Sequence, residues 1–105
     1  DQESGTLMRK GYRDTISGGG EFYRHPDTGF VFENFKVPFF KEACETARDA
    51  ARRIPDRLIG WDIALTPTGP TVIEGNSDAG IFMSDVAYGG LLKNEHMKRI
   101  ISTVK

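Results

Sequence analysis

Asp62, Glu74 and Asn76 are the residues of this 105-residue chain whose types and spacing best suit chemistry. They lie in IGWDIALTPTGPTVIEGN, Ile59 to Asn76, a stretch that otherwise reads as the two walls of a hydrophobic hairpin. Ile59, Trp61, Ile63 and Leu65 alternate with Gly60, Asp62, Ala64 and Thr66, the period of a half-buried strand. Pro67-Thr68-Gly69 fits a three-residue loop: a type I turn, then a glycine in the left-handed position. That loop sets Thr66 across from Pro70, Ala64 across from Val72 and Asp62 across from Glu74. Directly opposed residues of an antiparallel pair have Cβ atoms about 4.5–5.5 Å apart. Asn76 follows on the same face about 7 Å along the strand, while Trp61, Ile63 and Ile73 take the other face. Opposed carboxylates destabilise a strand pair unless something positive lies between them. Either these oxygens face water, or they converge on a cation. The donor set suits magnesium or manganese, magnesium being a hard ion that takes carboxylate and amide oxygens and completes its shell with phosphate.

The elements that must hold the hairpin are visible in the same periodicities. Pro38 opens PFFKEACETARDAARRI and Pro55 closes it. Within it Phe40, Ala43, Cys44, Ala47, Ala50, Ala51 and Ile54 recur every three or four positions, which predicts an amphipathic helix over 38–54. Glu42, Glu45, Arg48, Asp49 and Arg52 form its solvated face. NEHMKRIISTV at the end puts Met97, Ile100, Ile101 and Val104 on one helical face, with Asn94 as cap. A second hairpin is expected where EFYRH and FVFENF flank Pro26-Asp27-Thr28-Gly29. The first residues, with Gly18-Gly19-Gly20, read as a loop or frayed end, and SDAGIFMSD reads as a loop. The fold class expected is α/β in the broad sense (α+β): an antiparallel sheet with two hairpins, packed against two amphipathic helices.

Bulk composition narrows the functions. One domain over residues 1–105 is what this length supports. Fourteen basic and 15 acidic residues leave a formal charge of −1, so no broad cationic surface points to nucleic acid or anionic lipid. No apolar run is long enough to span a membrane. Cys44 is the single cysteine; it excludes an internal disulfide and a CxxC metal pattern and suits a reducing cytoplasm. It sits on the apolar helix face, as core. His25 and His96 make no ligand spacing with each other and read as a turn-edge residue and a solvated helix residue. Trp61 is core before it is a stacking platform. NSDAGIFMSD lacks the terminal glutamate of an EF-hand loop, which argues against calcium. Gly18 and Gly19 have two readings: a flexible loop, or a phosphate cradle built from backbone N–H groups. The start at Asp1, without an initiating methionine, suggests a piece of a longer protein.

GWDIALTPTGPTVIEGN resembles the metal-binding hairpin of the ATP-grasp superfamily, in which an acidic residue on one strand is followed by a turn and a Glu-x-Asn pair. Those positions are Asp62, Glu74 and Asn76 here. The likeness is closer to the ATP-grasp proteins associated with sugar transfer and polysaccharide biosynthesis. It rests on GWDIA, GP, IEGN, the HPDTG turn and the VPFFKEA helix start, and it runs from about Asp14 to Leu92. The resemblance implies a carboxylate–amine or thiol type ligase with ATP and Mg2+ (or Mn2+) as cofactors and a small carboxylate as substrate. Glu74 would lie between two ions, with Asp62 and Asn76 each favouring one. It implies the carboxy-terminal lobe of the fold, with the lobe carrying the adenine hinge and phosphate-binding lysine absent from this chain, which alone would hold half a site. Many such ligases place an arginine two residues before the first acidic ligand or two after the asparagine; here Gly60 and Asp78 stand there. Arg13 is the residue offered for the missing charge. Thr15 stands after Asp14 where relatives show an asparagine followed by two glycines. A non-catalytic module that keeps the fold for assembly or nucleotide sensing is the alternative. The short repeats of a hexapeptide acyltransferase are missing.

Overall fold

Alternation over Ile59–Asn76 produces the longest ladder of the protein. In a computed structural model that describes residues 1–56 and 58–103, two long strands, β3 (Gly60–Thr66) and β4 (Gly69–Asn76), pair antiparallel. The remaining elements are β1 (Gly11–Tyr12), β2 (Glu21–Phe22), α1 (Phe40–Ala51), α2 (Phe82–Tyr88) and α3 (Glu95–Ser102), with 3-10 turns at Thr15–Ser17 and Leu91–Lys93. There are two sheets of two strands, β1–β2 and β3–β4, so the α+β class expected from the sequence is observed. The chain forms two compact units. One comprises Asp1–Val37 and Phe82–Gly90, and the other comprises Pro38–Ile81 and the described residues from Leu91 on.

In the second unit α1 packs against both strands of the β3–β4 hairpin. The helix is shorter than the 38–54 periodicity, because Arg52 already caps it and its N–H turns back to Arg48 and Ala50 carbonyls. Phe39 leads in with left-handed backbone, φ 52°, and no side-chain cap. Phe40, Ala43, Cys44, Ala47 and Ala50 are half-buried, whereas Ala51 and Ile54 are exposed. The helix dipole is complemented by Glu42 in the first turn and Arg48 in the last. α3 begins as expected: the Asn94 side-chain oxygen accepts the N–H groups of His96 and Met97 at 2.9 and 3.2 Å. Its packing differs from expectation. Among the described residues α3 meets the Leu91–Lys93 turn rather than the hairpin, and Val104 lies outside the described residues. Because α3 has only eight residues, its cap carries much of its stability. Asn94→Ala is expected to cost about 1 kcal/mol, read as a lower midpoint in urea with an unchanged slope.

In the first unit the pairing differs from the expected second hairpin. The Pro26–Gly29 turn forms, with the Gly29 N–H donating to the His25 carbonyl and the His25 N–H to that of Phe30, both at 2.8 Å. Its flanks pair only through an Arg24–Val31 bridge. β2 pairs instead with β1, across the glycine loop, matching Gly11 with Phe22 and Tyr12 with Glu21. The aromatic run explains this. Phe30 packs edge-on to Phe32 and Phe35, with ring centroids 6.3 and 5.1 Å away, and Asn34 adopts φ 64°. The segment folds on itself in place of extending as a strand. Lys10 reaches Glu21 at 2.6 Å, and this hydrogen bond, with the carboxylate's charge, raises the ammonium above its ordinary 10.5.

Two further segments are more ordered than their composition suggests. The amino terminus is tied down by a Thr6–Lys36 bridge, by the Leu7 N–H to the Phe35 carbonyl, and by the Val37 N–H to that of Gly5. Phe82–Tyr88, expected as loop in its first half, is the helix α2, which meets β1. Its end is written in Gly89 and Gly90, at φ 79° and 110°, whose N–H groups both return to the Asp85 carbonyl. No hydrophobic side chain of the described residues is fully buried.

Candidate functional site

The hairpin brings Asp62 and Glu74 directly opposite each other, with Asn76 paired to Gly60 two positions on. The route to that register is not the expected one. The loop is the two residues Pro67 and Thr68, and Thr66 pairs with Gly69, Leu65 with Pro70 and Ala64 with Thr71. Thr66 Oγ1 closes the turn by donating to the Gly69 carbonyl at 2.7 Å, and Gly69 has φ 124°. An unbroken ladder from this loop would set Asp62 against Ile73 and put Glu74 on the wrong face. A bulge between the Ile63–Val72 and Asp62–Glu74 pairs takes up one residue, Ile73, and restores the carboxylate pair. Ile73, expected on the inner face, is instead 65% exposed.

Asp62, Glu74 and Asn76 are all exposed. The Asn76 side-chain oxygen accepts the Asp78 N–H at 2.8 Å, an Asx turn that holds the amide at the strand end and leaves its second lone pair for another partner. Among the described residues no three His, Cys, Asp or Glu side chains gather into a metal-binding group. The hairpin therefore offers two carboxylates and an amide: the incomplete set of hard oxygens that magnesium completes with water and substrate phosphates. The donor types and the register fit that ion.

Two glycines whose need was not evident in the sequence flank these residues, Gly60 on their face and Gly75 on the opposite one. A Cβ on Gly75 would stand 2.6 Å from Trp61 Cζ3, because the indole lies over its cross-strand partner. Trp61 is half-buried, as a packing residue. A Cβ on Gly60 would stand 2.4 Å from the Ala79 Cβ, so the 77–80 loop closes against that position. An arginine at position 60 would have to displace that loop.

Arg13, Gly18 and Gly19 belong to the other unit. Arg13 is exposed, with its guanidinium carbon 4.7 Å from the centre of the Phe22 ring. The Gly18 and Gly19 N–H groups donate to the carbonyls of Thr15 and Asp14 at 3.1 and 2.9 Å, and both residues have positive φ, 101° and 63°. The glycine run thus closes a turn whose entry is capped by Asp14, which accepts the Ile16 N–H at 3.1 Å. His25 is a turn residue and His96 an exposed one in the first turn of α3, while Cys44 is half-buried on α1. No helix of the described residues is long and apolar enough to cross a membrane.

Residues 1–100 match the family model described as sugar-transfer associated ATP-grasp, a wider span than the motifs alone had covered. No curated protein and no solved structure matches the chain. With the match running through both units and the whole hairpin, the chain belongs to the sugar-transfer associated ATP-grasp family.

Proposed function

We propose that this chain supplies the metal-binding hairpin of an ATP-dependent ligase. The enzyme would transfer the γ-phosphoryl group of ATP to a small carboxylate and let an amine or another nucleophile displace phosphate from the acylphosphate. The observation that carries this reading is the bulge-adjusted pairing of Asp62 with Glu74, beside Asn76, in a member of the ATP-grasp family. Asp62, Glu74 and Asn76 would hold magnesium or manganese. Such ions neutralise the charge of the phosphates and of the transferring group. By the family resemblance Glu74 would serve two ions, with Asp62 across the ladder and the Asn76 amide, which accepts the Asp78 N–H, each favouring one. The glycine run at 18–20 is assigned to turn formation, since the Gly18 and Gly19 N–H groups are engaged within the loop. Arg13 enters as the cation of a separate pocket in the first unit. A nucleotide lobe on another part of the protein would complete the site, and the pathway would be polysaccharide or cell-envelope biosynthesis in the cytoplasm.

The test is binding of manganese with a non-hydrolysable ATP analogue to the whole protein, followed by electron paramagnetic resonance. Asp62→Asn is expected to weaken manganese–nucleotide binding by about tenfold or more, the scale on which even groups behind the ligands register. Unchanged affinity would refute the site. One observation favours a second reading, a non-catalytic nucleotide-binding or assembly module: the closure of position 60 by Ala79 denies the face its arginine. Metal–nucleotide binding without any turnover, across a panel of carboxylates and amines, would support that module.

A further inference from the structure

The first unit contains a pocket of about 280 Å³ that owes nothing to the hairpin. Tyr12, Arg13, Phe22, His25, Asp27 and Phe32 supply its functional lining. Its volume lies just under the range of about 300–1,000 Å³ that holds drug-sized ligands, so it suits a small metabolite.

Two rigid walls hold charged groups of opposite sign. On one, β1 pairs with β2, the Arg13 N–H donates to the Gly20 carbonyl at 3.1 Å, and the guanidinium rests on the Phe22 ring. On the other, the Pro26–Gly29 turn is locked by the His25 ring. Its Nδ1 accepts the Asp27 and Thr28 N–H groups at 3.3 and 3.4 Å, which ties the ring to the turn. Arg13 and Asp27 form no ion pair with each other or with any other described residue. Between the walls lies Phe32, half-buried, with its Cε2 2.9 Å from where a Gly11 Cβ would stand. Its ring therefore covers the strand backbone.

A cation and an anion that line one pocket without pairing to each other match a ligand that carries both charges. A neutral sugar would leave both unanswered, and a simple anion would face the Asp27 carboxylate. We propose that this pocket binds a small zwitterionic α-amino acid with an apolar side chain. The carboxylate lies on Arg13 in the forked geometry that guanidinium favours, the ammonium lies on Asp27, and the side chain packs on Phe32 and Tyr12. Binding requires no metal or nucleotide, so it stands apart from the hairpin reading.

The experiment is a titration of the isotopically labelled chain, followed by amide NMR, with three probes of one shape. These are L-leucine, 4-methylpentanoate (leucine without the amine) and 3-methylbutylamine (leucine without the carboxylate). Leucine is expected to shift the amides of Tyr12, Arg13 and Asp27, and each half-ligand is expected to bind at least about tenfold more weakly, the equivalent of about 1.4 kcal/mol. Arg13→Gln should abolish the response to leucine, and Asp27→Asn should bring its affinity down to that of the pentanoate. Lys93→Gln, in the other unit, should change nothing. Signal dispersion reports the fold of each variant, and if Arg13→Gln unfolds, Asp27→Asn carries the test. No response to leucine would overturn the proposal. So would equal binding of a half-ligand, or a response to methyl glucoside in its place.

Discussion

Replacing Glu74 by Gln in the whole protein is expected to lower substrate-dependent ADP release by about 10³-fold or more, the scale set by removing one group that stabilises charge during phosphoryl or acyl transfer. The change keeps size and shape and removes only the charge. Glu74 is exposed, and its side chain makes no ion pair or hydrogen bond among the described residues. Removing the charge relieves repulsion from Asp62 across the ladder, so Glu74→Gln should be as stable as the parent or slightly more stable without metal. Loss of turnover with retained or increased thermal stability is therefore the signature of a metal ligand. Normal turnover would exclude the mechanism.

Gly75→Ala is expected to destabilise the second unit by about 1–3 kcal/mol, the usual cost of forcing an extra group into occupied space. The added methyl would meet the Trp61 ring at 2.6 Å. The ring cannot simply yield, because Trp61 is half-buried on the hairpin that packs against α1. Trp61 is the only tryptophan in the chain, so its emission reports the displacement directly: a red shift is expected together with a fall in midpoint of roughly 4–8 °C per kcal/mol. In the Trp61→Ala background the same substitution should cost far less, since the obstacle is gone, and the two changes would fail to add. Equal costs in both backgrounds would show that the strain lies elsewhere. The link to function is positional: Gly75 lies between Glu74 and Asn76, so a displaced strand moves both ligands.

Legibility followed the length of the pattern. The long alternation of Gly60–Thr66 and the stripe through Phe40–Ala50 were readable because each repeats one period several times, and the Asn94 cap was readable because its donors are local. The Pro26–Gly29 turn was readable, but its strands were not. Phe30, Phe32 and Phe35 satisfy one another at short range, and that choice is invisible in a count of β-prone residues. α2, at seven residues, is too short for a period to emerge. The facing of Asp62 and Glu74 was derived from a three-residue loop and an unbroken ladder, neither of which occurs. The two differences cancel: the loop is one residue shorter than expected, and the bulge at Ile73 takes up one residue. The demands on Gly60 and Gly75 come from Ala79 and Trp61, contacts made by tertiary folding.

The bulge residue gives the hairpin an unusual tolerance. Ile73 has no cross-strand partner, and the pairs on either side of it, Val72 with Ile63 and Glu74 with Asp62, already adjoin on β3. Deleting Ile73 would shorten the chain and leave every pair in place, and deleting Val72 would seat Ile73 opposite Ile63 in the same register, whereas deleting Thr71 would carry Val72 to the other face. The hairpin thus contains one dispensable position beside its most constrained ones. Across sequences of this fold, length variation on the second strand can collect at that position while the spacing from Glu74 to Asn76 stays fixed.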